Sequence, residues 1–213
     1  TVDTGSGTPS IGLTIGANGR SASYLSGSGS TALVFRHSIA AGDTDNDGVA
    51  LAASITPNLG TLRDAAGNDI NTSLNSIGSL SAVLVDAQAP SLTEVSAVST
   101  PTNDGTPSLQ FSTDEAGVLS VGGSCGSGSE GAVSSGSQSL SLTQPDNSTA
   151  LASGTYSDCT LTVTDAAGNA STALTLSSFV IDLTGPSVDA NTGLGLDEGD
   201  SGAAISSTQL SAS

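Results

Sequence analysis

The sequence predicts an all-β chain, built as two antiparallel β-sandwiches in tandem. Three observations carry this. Short runs of alternating apolar and polar residues recur throughout, and helix signals are nearly absent. The turns between these runs are made of Gly, Asn, Asp and Ser, at roughly 8–12-residue spacing, the cadence of a sandwich. Finally, two motifs repeat at a long period. "DAAGN" occurs at Asp64 and again at Asp165, and an apolar-Asp-to-Pro-Ser pattern occurs at Asp3, Asp86 and Asp182. The Asp spacings are 83 and 96 residues, with "DAAGN" 22 residues before Asp86 and 17 before Asp182. Residues 1–88 and 89–184 are accordingly read as two modules, each closed by an Asp and followed by a Pro.

In chain order, "TALVFRHSI" places Leu33, Phe35, His37 and Ile39 on one face and Val34, Arg36 and Ser38 on the other. "TPSLQFST", "AGVLSVGG", "SQSLSLT", "CTLTVTD" and "TALTLSSFVID" read as further strands. Pro9, Pro90 and Pro186 follow the joint aspartates. A proline donates nothing to a ladder and suits the start of an edge strand. Aromatics are limited to Tyr24, Tyr156, Phe35, Phe111 and Phe179, so thin cores of Val, Leu and Ile are expected. Residues 185–213 repeat neither opening and are too few to bury a core; they read as the start of a third module. With no signal peptide or sorting motif, the chain reads as a piece of a longer protein.

Charge narrows the function. Twenty Asp and Glu stand against three Arg, one His and no Lys, a formal net charge of −17. Nucleic acid is an unsuitable partner, because its binding needs Lys and Arg at phosphates. Anionic membrane surfaces are excluded by the same argument, and no apolar run approaches a membrane span. Cations are the natural partners of such a surface, which also keeps an exported protein soluble. Without lysine no Lys–Asn isopeptide crosslink can form.

"TNDGTPSLQFSTDEAG", "GTYSDCTLTVTDAAGNAS" and "FVIDLTGPS" resemble the bacterial immunoglobulin-like repeats of very large surface adhesins. The first module, with "YLSGSGSTALVFRHSIAAGDTDNDGV" and "LRDAAGND", resembles a sister class, and "NTGLGLDEGDSGAAISSTQLSAS" is similar to the opening of cadherin-like proteoglycan repeats. The resemblance covers nearly the whole chain and implies immunoglobulin-like sandwiches on a bacterial cell surface. It implies a non-enzymatic stalk segment of a surface adhesin, whose partners would be neighbouring modules of one long chain, with any host or surface ligand met through other domains. A carbohydrate- or protein-binding module, or a structural subunit of an extracellular filament or surface layer, is the alternative reading.

Two calcium sites are candidates. In "DTDNDG", Asp43, Asp45 and Asp47 alternate ahead of Gly48, like the first half of a calcium loop. Position twelve is Ser54 and the flanks are not helical, so an EF-hand is excluded; a loop between strands, or a plain polar turn, remains. The other candidate is the joint, where the resemblance implies calcium stiffening. Asp86, with Asp104, Asp114 and Glu115 at the top of the second module, would serve one joint; Asp165, Asn169 and Asp182 would serve the next. "DAAGN" also has a plain turn role, with Asp capping and Gly at positive φ.

Cys125 shares strand parity with Leu119 and Val121, and Cys159 with Leu161 and Val163. Both thiols should point inward and pair, as exported proteins permit; two buried free thiols are the alternative. "GGSCG" matches the G-x-S-x-G nucleophile pattern around Ser124, but that motif needs a following helix and a later His. The single histidine, His37, lies in the other module and reads as a core-edge residue. No catalytic residues are assigned.

Overall fold

A computed structural model describes residues 1–5 and 7–186. The proposed third module therefore lies almost wholly outside the described residues. No helix occurs among them, and every ladder between named strands is antiparallel.

Strands β1 (Ser10–Ile15), β2 (Asn18–Ser26), β3 (Val34–Arg36) and β5 (Ala50–Thr56) form one sheet in the order β3-β2-β1-β5. The β1–β2 hairpin closes tightly, with Ile15 opposite Asn18. Strand β3 keeps the alternation read from "TALVFRHSI": Leu33, Phe35 and His37 are half-buried and Val34 and Arg36 exposed, while Ile39 has left the face. Two short strands, β4 (Thr44–Asp45) and β6 (Val85–Asp86), pair apart from this sheet. Burial here is thin, limited among large apolar residues to Ile15, Leu62 and Val85.

The remaining strands share no ladder with these. They are β7 (Leu92–Ser96), β8 (Ser108–Thr113), β9 (Gly117–Gly122), β10 (Gly131–Val133), β11 (Gly136–Ser141), β12 (Gly154–Tyr156), β13 (Thr160–Thr164), β14 (Leu174–Thr175) and β15 (Phe179–Ile181). One sheet runs β10-β9-β13-β14 and another β11-β8-β7, with β12 and β15 as a separate pair. Alternation fills the space between them. Leu109 and Phe111 of β8, Leu161 and Val163 of β13, and Phe179 and Ile181 of β15 all point inward, while Ser108, Gln110 and Val180 face out. "TALTLSSFVID", read as one strand, is broken into β14 and β15, which join different sheets. The core is a single cluster of fourteen buried residues. Phe111 and Phe179 sit within it, so two of the few aromatics anchor this core rather than leaving it wholly aliphatic.

Pro9 and Pro90 are buried just ahead of β1 and β7. β7 is an edge strand, as expected, but β1 is interior; Pro9 is tolerated because it precedes the ladder, and its carbonyl accepts Tyr24 N at 2.9 Å.

Candidate functional site: an acidic joint

Both "DAAGN" strings fold into one turn. Asp165 N donates to Asn169 O (3.0 Å), Asn169 N to Asp165 Oδ1 (2.8 Å) and Asn169 Nδ2 to Asp165 Oδ2 (2.8 Å). In the first copy Asp64 and Asn68 make the same three contacts, each at 2.9 Å. Gly67 and Gly168 hold φ of 89° and 95°, a region side chains resist, which suits glycine at the fourth position of the string. In both copies the Asn68 or Asn169 amide holds the aspartate's carboxyl below its usual range. The second copy also reaches out of its own unit: Asn169 Nδ2 lies 3.2 Å from Asp86 O.

This contact bridges the two groups of strands that share no ladder, a place we call the joint. Asp86, Glu115 and Asp165 each offer a carboxylate oxygen, all within 4.8 Å of one another. Three elements deliver them: β6 brings Asp86, the β8–β9 loop brings Glu115, and the end of β13 brings Asp165. Asp114, beside Glu115, is spent differently, with Oδ1 accepting Ser91 N at 2.7 Å. The Glu115 main chain is tied to Thr113 Oγ1, leaving its carboxylate to face its neighbours. Burial, then the charges of Asp86, Asp114 and Asp165, raise its pKa. Among the described residues the two ion pairs lie elsewhere, Arg20 with Asp43 and Arg63 with Asp69. The cluster thus gathers negative charge without a protein cation. Hard carboxylate oxygens from both sides of a linker are the donor set that calcium favours, with carbonyls or water completing six to eight ligands.

Two placements need correction. Asp104 is not at this joint: its Oδ1 accepts Thr106 N (2.8 Å), and Asp182 N donates to Thr102 O nearby (2.9 Å). Strand β8 separates that end from Glu115 by about 20 Å, six residues at strand rise. Asp165 and Asn169, assigned to the following joint, instead face the preceding one, because β13 runs back toward the end where β8 finishes and β9 begins. Asp182 stays at the far end, beside Pro101, Thr102 and Asn103.

"DTDNDG" does not gather its carboxylates around a common point either. Asp43 is fully inaccessible and bound by Arg20, whose Nε lies 3.0 and 3.2 Å from its two oxygens. That guanidinium, then Ala40 N, holds the Asp43 carboxyl below its usual range. Asp45 accepts Gly16 N (2.8 Å), Gly48 N (2.7 Å) and Asp47 N (3.2 Å), while Asp47 is exposed. Backbone donors and an arginine take the places a cation would need, so the motif is a structural turn.

Cys125 and Cys159 form a disulfide, both 1% exposed, with Cα atoms 5.2 Å apart. It links the chain just past β9 to the residue before β13, which are already paired strands. Ser124 donates to Asp158 Oδ2 (2.9 Å) on an exposed turn with no helix after it, and His37 belongs to the other group of strands. The nucleophile pattern is therefore coincidental. No helix among the described residues is long and apolar enough to cross a membrane.

No curated protein matches the chain. Residues 79–183 match the family model described as a bacterial Ig-like domain, a span running from the acidic joint to the end of β15. That segment, residues 79–183, is a bacterial immunoglobulin-like domain.

Proposed function

We propose that the chain is a non-enzymatic stalk segment of a bacterial cell-surface adhesin, its Ig-like modules stiffened by calcium at the joint. Domains of this family are typically non-enzymatic and usually extracellular or surface-exposed. The observation that carries the finer reading is the Asp86–Glu115–Asp165 cluster, one carboxylate from the linker side and two from the domain it enters. A cation bound by all three restrains the hinge between them, and its withdrawal frees the hinge and restores the repulsion. The neighbouring modules of the same long chain are the immediate partners, with adhesive contact made through other domains.

A carbohydrate-binding role finds less support. Tyr24 packs edge-on against Phe35 and its hydroxyl accepts Ser28 N; Tyr156 stacks on Phe179 and its hydroxyl donates to Ala152 O. Neither ring lines a described cavity. The test is calorimetry of the whole chain in millimolar calcium and in excess chelator. Calcium bound only by the folded state raises the transition temperature. An unchanged transition would mean that the carboxylates only solvate the surface.

A further inference from the structure

We infer that the Arg20–Asp43 ion pair is the anchor that holds Asp86 at the joint, a positioning role carried out from inside the first unit; it rests on the calcium reading above. Asp86 sits on a strand of two residues. That strand's one ladder is with β4, through Thr44 opposite Asp86 and Asp45 opposite Val85, and from the second unit Asp86 O accepts only Asn169 Nδ2 at 3.2 Å. Just beyond, Ala87 N donates to Asp43 O (2.9 Å) and Gly42 N to Ala87 O (2.7 Å). Within the first unit, every one of these bonds ends on residues 42–45.

So short a ladder, with Val85 its one buried apolar residue, needs a tether to the larger sheet. The acidic motif supplies it twice. The Asp43 carboxylate is held in the fork of Arg20, which lies on β2 opposite Leu13 of β1. The Asp45 carboxylate accepts Gly16 N at the β1–β2 turn. A continuous path therefore runs from the interior strands β2 and β1, through Asp43 and Asp45, across β4 to β6 and Asp86.

The other two carboxylates have no such dependence. Glu115 is placed by the β8–β9 loop and Asp165 by its own turn, both inside the second unit. Asp86 alone brings the first unit to the cation, so loosening its strand lowers affinity without touching a ligand. Arg20 presents a planar fork to Asp43, and lysine keeps the charge but not the fork.

The experiment is calcium titration calorimetry on the whole chain, with folding of both units followed by NMR. The wild type, Arg20→Met, Arg20→Lys and Ala87→Pro are compared. Arg20→Met is expected to weaken calcium binding about three- to tenfold, as one ligand-bearing segment must then be ordered on binding. Arg20→Lys should recover part of the loss. Ala87→Pro removes the donor to Asp43 O while leaving the ion pair intact, and should weaken binding similarly. If Arg20→Met unfolds the first unit, Arg20→Lys tests the ion pair and Ala87→Pro tests the β4–β6 link it supports. Wild-type affinity in folded Arg20→Met or Ala87→Pro protein overturns the anchoring role. No binding by the wild type overturns the calcium reading instead.

Discussion

Replacing Glu115 with glutamine should change stability in opposite directions with and without calcium. Glu115 and Asp165 belong to the same unit and present oxygens within 4.8 Å. Two unit charges at that separation repel by about 1 kcal/mol at the dielectric constant of water, and more at a half-buried site. Physiological salt, with a screening length of about 8 Å, roughly halves such a repulsion between exposed charges and weakens it less where they are partly buried. In chelator, Glu115→Gln removes the repulsion and should raise the transition of the second unit by about 4–8 °C, the shift that 1 kcal/mol produces in a domain of this size. In saturating calcium the same change deletes a ligand. A tenfold loss of affinity then subtracts about 1.4 kcal/mol of binding stabilisation, so the variant should melt below the wild type. The pH dependence has a matching sign. Glu115 holds its proton more tightly folded than unfolded, so chelated wild-type protein should gain stability as pH falls through the raised value, fully so below the ordinary 4.5. Glu115→Gln should flatten that slope. Differential scanning calorimetry in both media reads all of this. A shift of one sign in calcium and chelator alike would refute the argument that the three carboxylates share a cation.

Other outcomes follow from the core, the staple and the turns. Leu161→Ala, at a fully buried β13 position, should destabilise the second unit by about 2–5 kcal/mol in urea unfolding, leaving the first unit's transition in place. Paired replacement of Cys125 and Cys159 by alanine should cost about 3–4 kcal/mol, the chain-entropy value for a separation of 34 residues. Gly168→Ala forces a side chain to φ 95° and should cost about 1–3 kcal/mol; NMR should show the Asn169–Asp165 bonds lengthen or break. The Asp146 carboxyl is lowered to about 2 by the Thr149 hydroxyl, then by Thr149 and Ser148 N–H groups. Its stabilising contribution is present above 3.8 and lost as pH falls through about 2, so Asp146→Asn should remove that part of the acid sensitivity in a pH titration of stability.

Much of this molecule is legible in one dimension because a strand's two faces alternate residue by residue. The inward settings of Leu109, Phe111, Leu161 and Val163 follow from parity, as does the inward direction of both cysteines. Strand β1 carries the same alternation in Ile11, Leu13 and Ile15, but parity does not tell that only Ile15 is buried in so thin a unit. Parity also says nothing of sheet membership, which is why "TALTLSSFVID" does not betray its switch between sheets.

The sites divide in the same way. Residue order alone marks the joint aspartates and the turn chemistry of "DAAGN", because those depend on residues a few positions apart. Which carboxylates meet depends on the direction each strand travels and on which end of the sandwich its loop reaches. "DTDNDG" looks like a ligand loop in isolation, yet Arg20, 23 residues earlier on β2, takes the Asp43 carboxylate. Asp165 stands 79 residues beyond Asp86 and 50 beyond Glu115, and only the antiparallel path of β13 carries it back to them. Local hydrogen bonding is written along the chain; convergence of like charges is a property of the folded path, where core packing overrides a repulsion that no short stretch of sequence contains.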